Sequence, residues 1–177
     1  MIVVFDGIDR SGKSSRLNKI YDTLHERGYT VETQAFPTKR DIMHKSEFIQ
    51  DMSNTMNRWI NTPYYAPQEC ILLVDRYIYS TMAYQDDLEL KIPLTVPKPD
   101  FGIFFNISPQ HSYGKELSYE IFDMDKVFSN YQTIVKEGIF KPKHGWLKIT
   151  KDTSNEYIIN HILRVKSLKE GQNIIGD

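Results

Sequence analysis

The stretch FDGIDRSGKSS, Phe5 to Ser15, decides the architecture. Gly7 to Ser14 spells G-x-x-x-x-G-K-S, the phosphate-binding loop pattern. Before it lies an apolar run with strand character, Ile2 to Asp6. After it, Leu17, Ile20, Tyr21 and Leu24 keep the i, i+3, i+4, i+7 spacing of a helix face. Strand, glycine loop and helix in that order are the context the pattern requires. At such a helix start the N–H groups of Ser11 to Ser14 have no intrahelical partner and point at phosphate oxygens. Lys13 would bridge the terminal phosphates and the Ser14 hydroxyl would ligate Mg²⁺. The candidate ATP-binding residues are therefore Gly7, Ile8, Asp9, Arg10, Ser11, Gly12, Lys13, Ser14 and Ser15.

Within the loop, Asp9 and Arg10 set an acid and a guanidinium where phosphate is to lie. Phosphoryl transfer spreads negative charge over the moving group, and a guanidinium fork matches that charge geometrically. An arginine carried in the loop supplies this stabilisation in cis, a role worth ~10³–10⁵ in rate. The alternative for Arg10 is a solvated side chain at the loop rim.

Outward from the loop, five short β-rich runs recur: Ile2–Asp6, Tyr29–Phe36, Cys70–Asp75, Phe101–Ser108 and Trp146–Thr150. Several are almost wholly apolar, as parallel strands covered on both faces are. Helical spacing returns near the C-terminus at Ile158, Ile162, Val165 and Leu168, and Gly28 is a natural stop for the first helix. Strands alternating with helices imply right-handed βαβ units. The expectation is a three-layer α/β fold of the P-loop type, with a central five-stranded parallel sheet and helices on both faces. Neither repeats nor a linker divide the 177 residues, so one domain is expected, with residues 169–177 as a frayed tail.

Composition narrows the class. Lys plus Arg number 22 against 23 Asp plus Glu, a net charge of -1, so no broad basic field marks a nucleic-acid partner. No apolar stretch approaches the ~20 residues of a membrane span. Nothing has the basic start and apolar core of a signal peptide, which suggests a cytoplasmic or nuclear protein. The single cysteine, Cys70, sits in the apolar run CILLVD and reads as a small core residue. The five histidines lack metal-ligand spacing. Asp100-Phe101-Gly102 matches the protein-kinase metal motif by letter only, and reads better as the entry to the fourth strand.

A second anionic site is foreseen beside the loop. LLVDRYIYS ends a strand in Asp75-Arg76. A carboxylate at that carboxyl end can orient the Mg²⁺ shell, and the following arginine enters the crevice. Lys39 and Arg40 in FPTKR and Arg58 in NRW add cations around the same crevice, more than a nucleotide donor needs. They point to an acceptor that is itself a phosphate. Such an acceptor needs charge cancellation and alignment rather than a general base.

The chain resembles the thymidylate kinases, of the kind found in eukaryotes and some of their large DNA viruses. The matching pieces, in order, are GIDRSGKS, FP after the second strand, NRW, VDRYIYS, PKPD and a later YE. The resemblance implies ATP- and Mg²⁺-dependent conversion of dTMP to dTDP by a homodimer, with Ser14 and Asp75 at the metal. In the loop-arginine branch of the family, Arg10 acts at the transferring phosphate, and Asp9 meets the sugar 3′-hydroxyl or positions Arg10. Lys13 and Arg76 complete the catalytic set, with Arg76 on the acceptor phosphate. Arg58 would reach towards phosphate and base, Ser80 and Thr81 would border thymine, and Tyr84 would crowd the sugar 2′ position. Tyr119 would close over the acceptor from a short lid at about 109–120. Phe36 would lie near the base, and Lys39 or Arg40 would replace a phosphate-binding arginine. The chain departs from the family between Pro37 and Arg58, which is about a dozen residues short. Asn54 stands where the family has an aromatic that stacks on the base, and His111 or a gap stands where it has an arginine against adenine. Other readings are a deoxynucleoside kinase, a deoxynucleoside monophosphate kinase of altered base preference, and a kinase-like nucleotide-binding module with little activity. A GTP switch lacks its N-K-x-D segment here.

Overall fold

The structure is a computed structural model. It describes residues 1–38, 44–61, 70–112 and 121–174, with side chains described to 171. Lys39, Arg40 and Tyr119 lie outside the described residues.

Five parallel strands form one sheet: β1 (Ile2–Asp6), β2 (Val31–Ala35), β3 (Ile71–Asp75), β4 (Phe101–Phe105) and β5 (Trp146–Ile149), in the order β2-β3-β1-β4-β5. The central strands read as apolar runs because both faces are covered, and every residue of β4 is buried. β2 is an edge strand in which only Val31 is buried and the rest are half-buried or exposed, which is why VETQA carries polar residues. α1 (Lys13–Glu26) and α5 (Asn155–Ile174) cover one face, where Leu17, Ile20, Leu24 and Ile162 pack on Phe5, Ile103 and Phe105. α2 (Lys45–Asn61), α3 (Ile78–Tyr84) and α4 (Met124–Glu137) cover the other, around Met52, Met56, Tyr79, Phe104 and Tyr131.

Some ends differ from the sequence expectation, and backbone hydrogen bonds explain why. β2 starts at Val31 because Gly28 and Tyr29 belong to the exit of α1, their N–H groups donating to His25 and Leu24 carbonyls. β4 stops at Phe105 because Asn106 and Ile107 turn back, the Ile107 N–H donating to the Phe105 carbonyl at 2.8 Å. The expected tail overlaps α5. The helix continues through Ile174, and within it Lys169 Nζ lies 2.9 Å from the buried Asp100 carboxylate. That long-range pair gives the last turns a tertiary anchor that helical periodicity does not reveal.

Register places the chemistry. Asp75 on β3 pairs with Ala35 of β2 on one side and Phe5 of β1 on the other, and Asp6 pairs with Phe104. The carboxyl ends of the strands thus converge on the phosphate loop, where ligands of open parallel sheets bind.

Candidate active site

The loop from Gly7 to Gly12 is shaped by its two glycines. Gly7, at φ 148°, approaches β4 so closely that a Cβ would meet Phe105 Cβ at 2.9 Å. Gly12 caps α1 in the left-handed region at φ 87°. Lys13 is buried and folds back over the loop, its Nζ donating to the carbonyls of Gly7 at 2.9 Å and Ile8 at 2.7 Å. The loop is thereby held as a ring around its own lysine.

At the start of α1 the Ser14 hydroxyl donates to Asp75 Oδ2 at 2.5 Å. Asp75 Oδ1 is buried without a hydrogen-bond partner among the described residues. A serine oxygen beside an under-used carboxylate is the donor set a hard divalent cation takes, so Ser14 and Asp75 fit Mg²⁺.

Arg76 follows Asp75 in the left-handed region, at φ 67°, with its N–H donating to the Phe5 carbonyl at 3.0 Å. Its guanidinium ion-pairs with Asp9 and lies 5.6 Å from the centre of the Tyr84 ring. Tyr84 in turn accepts from the Asp9 N–H at 2.9 Å. Arg10 also has a left-handed backbone, at φ 58°, and its exposed side chain faces the crevice.

Two cavities meet here. One, of about 800 Å³, runs between residues 10–16 of the loop and α1 and residues 151–155 after β5. Lys151 and Asp152 also line a further space of about 400 Å³ beside His111. The second cavity, of about 230 Å³, is walled by Phe48, Ser80, Thr81, Tyr84, Gln85 and Phe122. Asp9 and Arg76 line both the loop cavity and this second one, so their ion pair is the partition between them.

Beneath the partition, Asp6 is fully buried. Its Oδ1 accepts from Ser80 Oγ at 2.7 Å and from Tyr131 OH at 3.1 Å. Burial pushes its pKa up to about 7, against the opposing pull of the Ser80 hydrogen bond and the Lys13 charge.

Residues 5–161 match the sequence model of the family described as "Thymidylate kinase". The chain belongs to the thymidylate kinase family. Thymidylate kinase of Schizosaccharomyces pombe is 30% identical over 182 residues, covering 87% of this chain and 84% of that protein. The probable thymidylate kinase of Methanococcus aeolicus is 28% identical, covering 85% and 87% respectively. Among solved structures, thymidylate kinase from Ehrlichia chaffeensis superposes with a TM-score of 0.63 at 20% identity, over 93% of this chain and 97% of that one, a likeness of fold. Thymidylate kinase membership sets the GTP switch aside.

Many of the residues singled out in the sequence come together here: Asp9, Arg10, Gly12, Lys13, Ser14, Ser15, Arg76, Thr81 and Tyr84 line the cavities, Asp75 meets Ser14, and Gly7, Ile8 and Ser11 hold Lys13. Three are placed differently. Ser80 lines the smaller cavity while its hydroxyl bonds the buried Asp6. Phe36 is only 3% exposed and backs the cavity, its ring 6.4 Å from Phe48, which does line it. Arg58 is exposed in the last turn of α2 and is not among the described residues of either cavity. It lies ten residues beyond Phe48 on the same helix, ~15 Å along its axis at 1.5 Å per residue. Sequence reasoning missed Arg16, whose guanidinium donates to the Lys151 carbonyl at 2.5 Å and to that of Thr153. It also missed the 151–155 loop as a cavity wall. The signal available was position, since a loop at the carboxyl end of a parallel strand near the phosphate loop is a binding segment by topology.

Proposed function

We propose that this chain transfers the γ-phosphoryl group of ATP to the phosphate of dTMP, giving dTDP and ADP, in the cytoplasm or nucleus. The observation that carries this reading is the junction of two cavities at one Asp9–Arg76 pair beside the phosphate loop. ATP would occupy the larger cavity, with its triphosphate along Gly12–Ser15 and its base towards Lys151 and His111. dTMP would occupy the smaller one, its phosphate on Arg76 and its base among Phe48, Phe122 and Gln85.

In this arrangement Arg76 exchanges part of its pairing with Asp9 for the acceptor phosphate, which frees the Asp9 carboxylate to meet the sugar 3′-hydroxyl. Lys13 is poised to turn from the loop carbonyls to the terminal phosphates. Arg10, at the rim of the junction, would cover the equatorial oxygens of the moving group, the role expected of the loop-arginine branch of the family. Tyr84 stands where a ribose 2′-hydroxyl would project and favours a deoxyribose. Mg²⁺, held through Ser14 and Asp75, would neutralise charge on the donor phosphates. Tyr119, Lys39 and Arg40 belong to this proposal as lid and acceptor-phosphate residues, and a homodimer through helix faces as its assembly.

The test is a coupled assay of ATP consumption with dTMP, dUMP, dGMP, dCMP, dAMP and thymidine offered separately, beside Arg10→Ala. Preferred turnover of dTMP is expected, with kcat of the variant lower by ~10³ or more. Turnover of thymidine but of no monophosphate would replace this reading with a deoxynucleoside kinase.

A further inference from the structure

Helix α3 is fastened to the end of β1 and to the phosphate loop that follows it, at two points one turn apart. Ser80 Oγ donates to Asp6 Oδ1 at 2.7 Å, and Tyr84 OH accepts from the Asp9 N–H at 2.9 Å. Asp6 and Asp9 bracket Gly7 and Ile8, whose carbonyls Lys13 holds. The acceptor wall is thus registered against the donor loop, and the deeper of the two fastenings is a carboxyl group.

That carboxyl is an expensive choice for a fold. Asp6 has no exposed surface, and its Oδ2 has no hydrogen-bond partner among the described residues. An under-satisfied buried carboxyl is costly where an aliphatic side chain of similar size would pack without penalty. Asp6 is also not among the described residues lining either cavity, so any influence on the reaction passes through its neighbours. Those neighbours are informative. Its Oδ1 also accepts from Tyr131 OH at 3.1 Å, on α4, the helix that follows the lid segment. α4 grips α3 again where Asn130 Nδ2 donates to the Ala83 carbonyl at 3.0 Å. The charges of Lys13 and Arg76 both act on it, one from each side of the junction.

We propose that Asp6 is a positioning residue: its carboxyl locks α3 and α4 to the end of β1, where the phosphate loop begins, so that acceptor and donor phosphates meet in line. The proposal rests on the phosphoryl-transfer reading above. In-line geometry is the quantity at stake, because a displacement of about 1 Å at the reacting atoms costs ~10²-fold in rate.

Asp6→Ala is a usable probe because Ser80 Oγ and Tyr131 OH are already 2.8 Å apart and can satisfy each other once the carboxyl is gone. We expect the variant to melt within a few degrees of wild type and to bind a fluorescent ATP analogue with nearly unchanged affinity. Its kcat with dTMP should fall by about tenfold or more. Tyr131→Phe, which removes one hydroxyl and keeps the ring, should lower kcat by less, and the double variant should be no worse than Asp6→Ala alone. Folded Asp6→Ala with wild-type kcat would overturn the proposal and leave Asp6 a core residue. Were that variant not to fold, the same kcat comparison on Tyr131→Phe would decide. A wild type inert towards every acceptor would instead overturn the functional reading, and the positioning role with it.

Discussion

Arg10 and Arg76 both hold left-handed backbone angles, φ 58° and 67°. For a side chain with a Cβ that region costs roughly 1–2 kcal/mol. It persists at Arg76 because the N–H is tied to Phe5 and the guanidinium to Asp9. Such strain gathers where side-chain direction matters more than local stability. In both cases a glycine would relax the turn and lose the cation, so sequence choice at these positions follows the phosphate rather than the backbone. Phe48 shows the same priority by another route. Asn54, in the place of the family's stacking aromatic, is exposed on α2, while Phe48 reaches the smaller cavity from one and a half turns earlier. The shortened segment between Pro37 and Arg58 thus goes with a different residue as the aromatic wall. Base–aromatic stacking is worth ~1–3 kcal/mol, so Phe48→Ala should raise the KM for dTMP about tenfold or more while leaving the KM for ATP near wild type. Steady-state kinetics with each substrate varied in turn checks this, and equal effects on both would remove Phe48 from the acceptor site.

At the scale of elements, β4 shows how tightly the sheet is fitted beneath the site. A Cβ on Gly102 would meet the Trp146 ring at 2.4 Å, and that ring is itself packed edge-on against Tyr79 with centroids 4.7 Å apart. Gly102→Ala must displace the indole, and overpacking of this kind costs about 1–3 kcal/mol. Urea unfolding should show that loss as a lower midpoint at unchanged slope, and an unchanged midpoint would mean the indole moves freely. The strands themselves were legible in the sequence because β1, β3 and β4 are apolar runs buried on both faces. Their ends were not, since the limit at Phe105 is set by a turn whose hydrogen bonds leave no compositional trace. The phosphate loop and Asp75-Arg76 could be placed from local spacing and strand position. The acceptor walls could not: which face of α2 meets the cavity, and that Phe36 sits behind Phe48 rather than beside the base, are consequences of helix packing. The same holds for Arg58, whose place on α2 was legible and whose direction was not.

Across the whole molecule the two edges of the sheet carry opposite kinds of carboxylate. At the carboxyl edge Asp6 and Asp75 each keep an oxygen without a partner among the described residues, and the cavities lie above them. At the amino edge Asp100 is saturated: its Oδ2 accepts from the Ile2 N–H at 2.7 Å and from Lys169 at 2.9 Å, and its Oδ1 lies 3.2 Å from Lys143. One carboxylate there joins β1, the entry to β4 and the last helix. Burial works to raise its pKa, but the Ile2 N–H and the Lys169 and Lys143 charges prevail and hold it below the ordinary 3.8. A depressed folded-state pKa contributes stability that is present above 3.8 and is lost as pH falls through the folded-state value. Lys143 is more than half exposed, so solvent screens its share and most of the effect belongs to Ile2 and Lys169. Asp100→Asn should therefore lower unfolding free energy by about 2 kcal/mol at neutral pH, the scale of a hydrogen-bonded charge. The gap to wild type should close as both are acidified below the range in which Asp100 ionises. Because Asp100 lies across the sheet from the phosphate loop, kcat with dTMP should stay at the wild-type value. Denaturant titrations at neutral and acid pH, paired with the turnover assay, test both halves. A variant as stable as wild type at neutral pH, or one with a reduced kcat, would contradict the division of labour between the two edges.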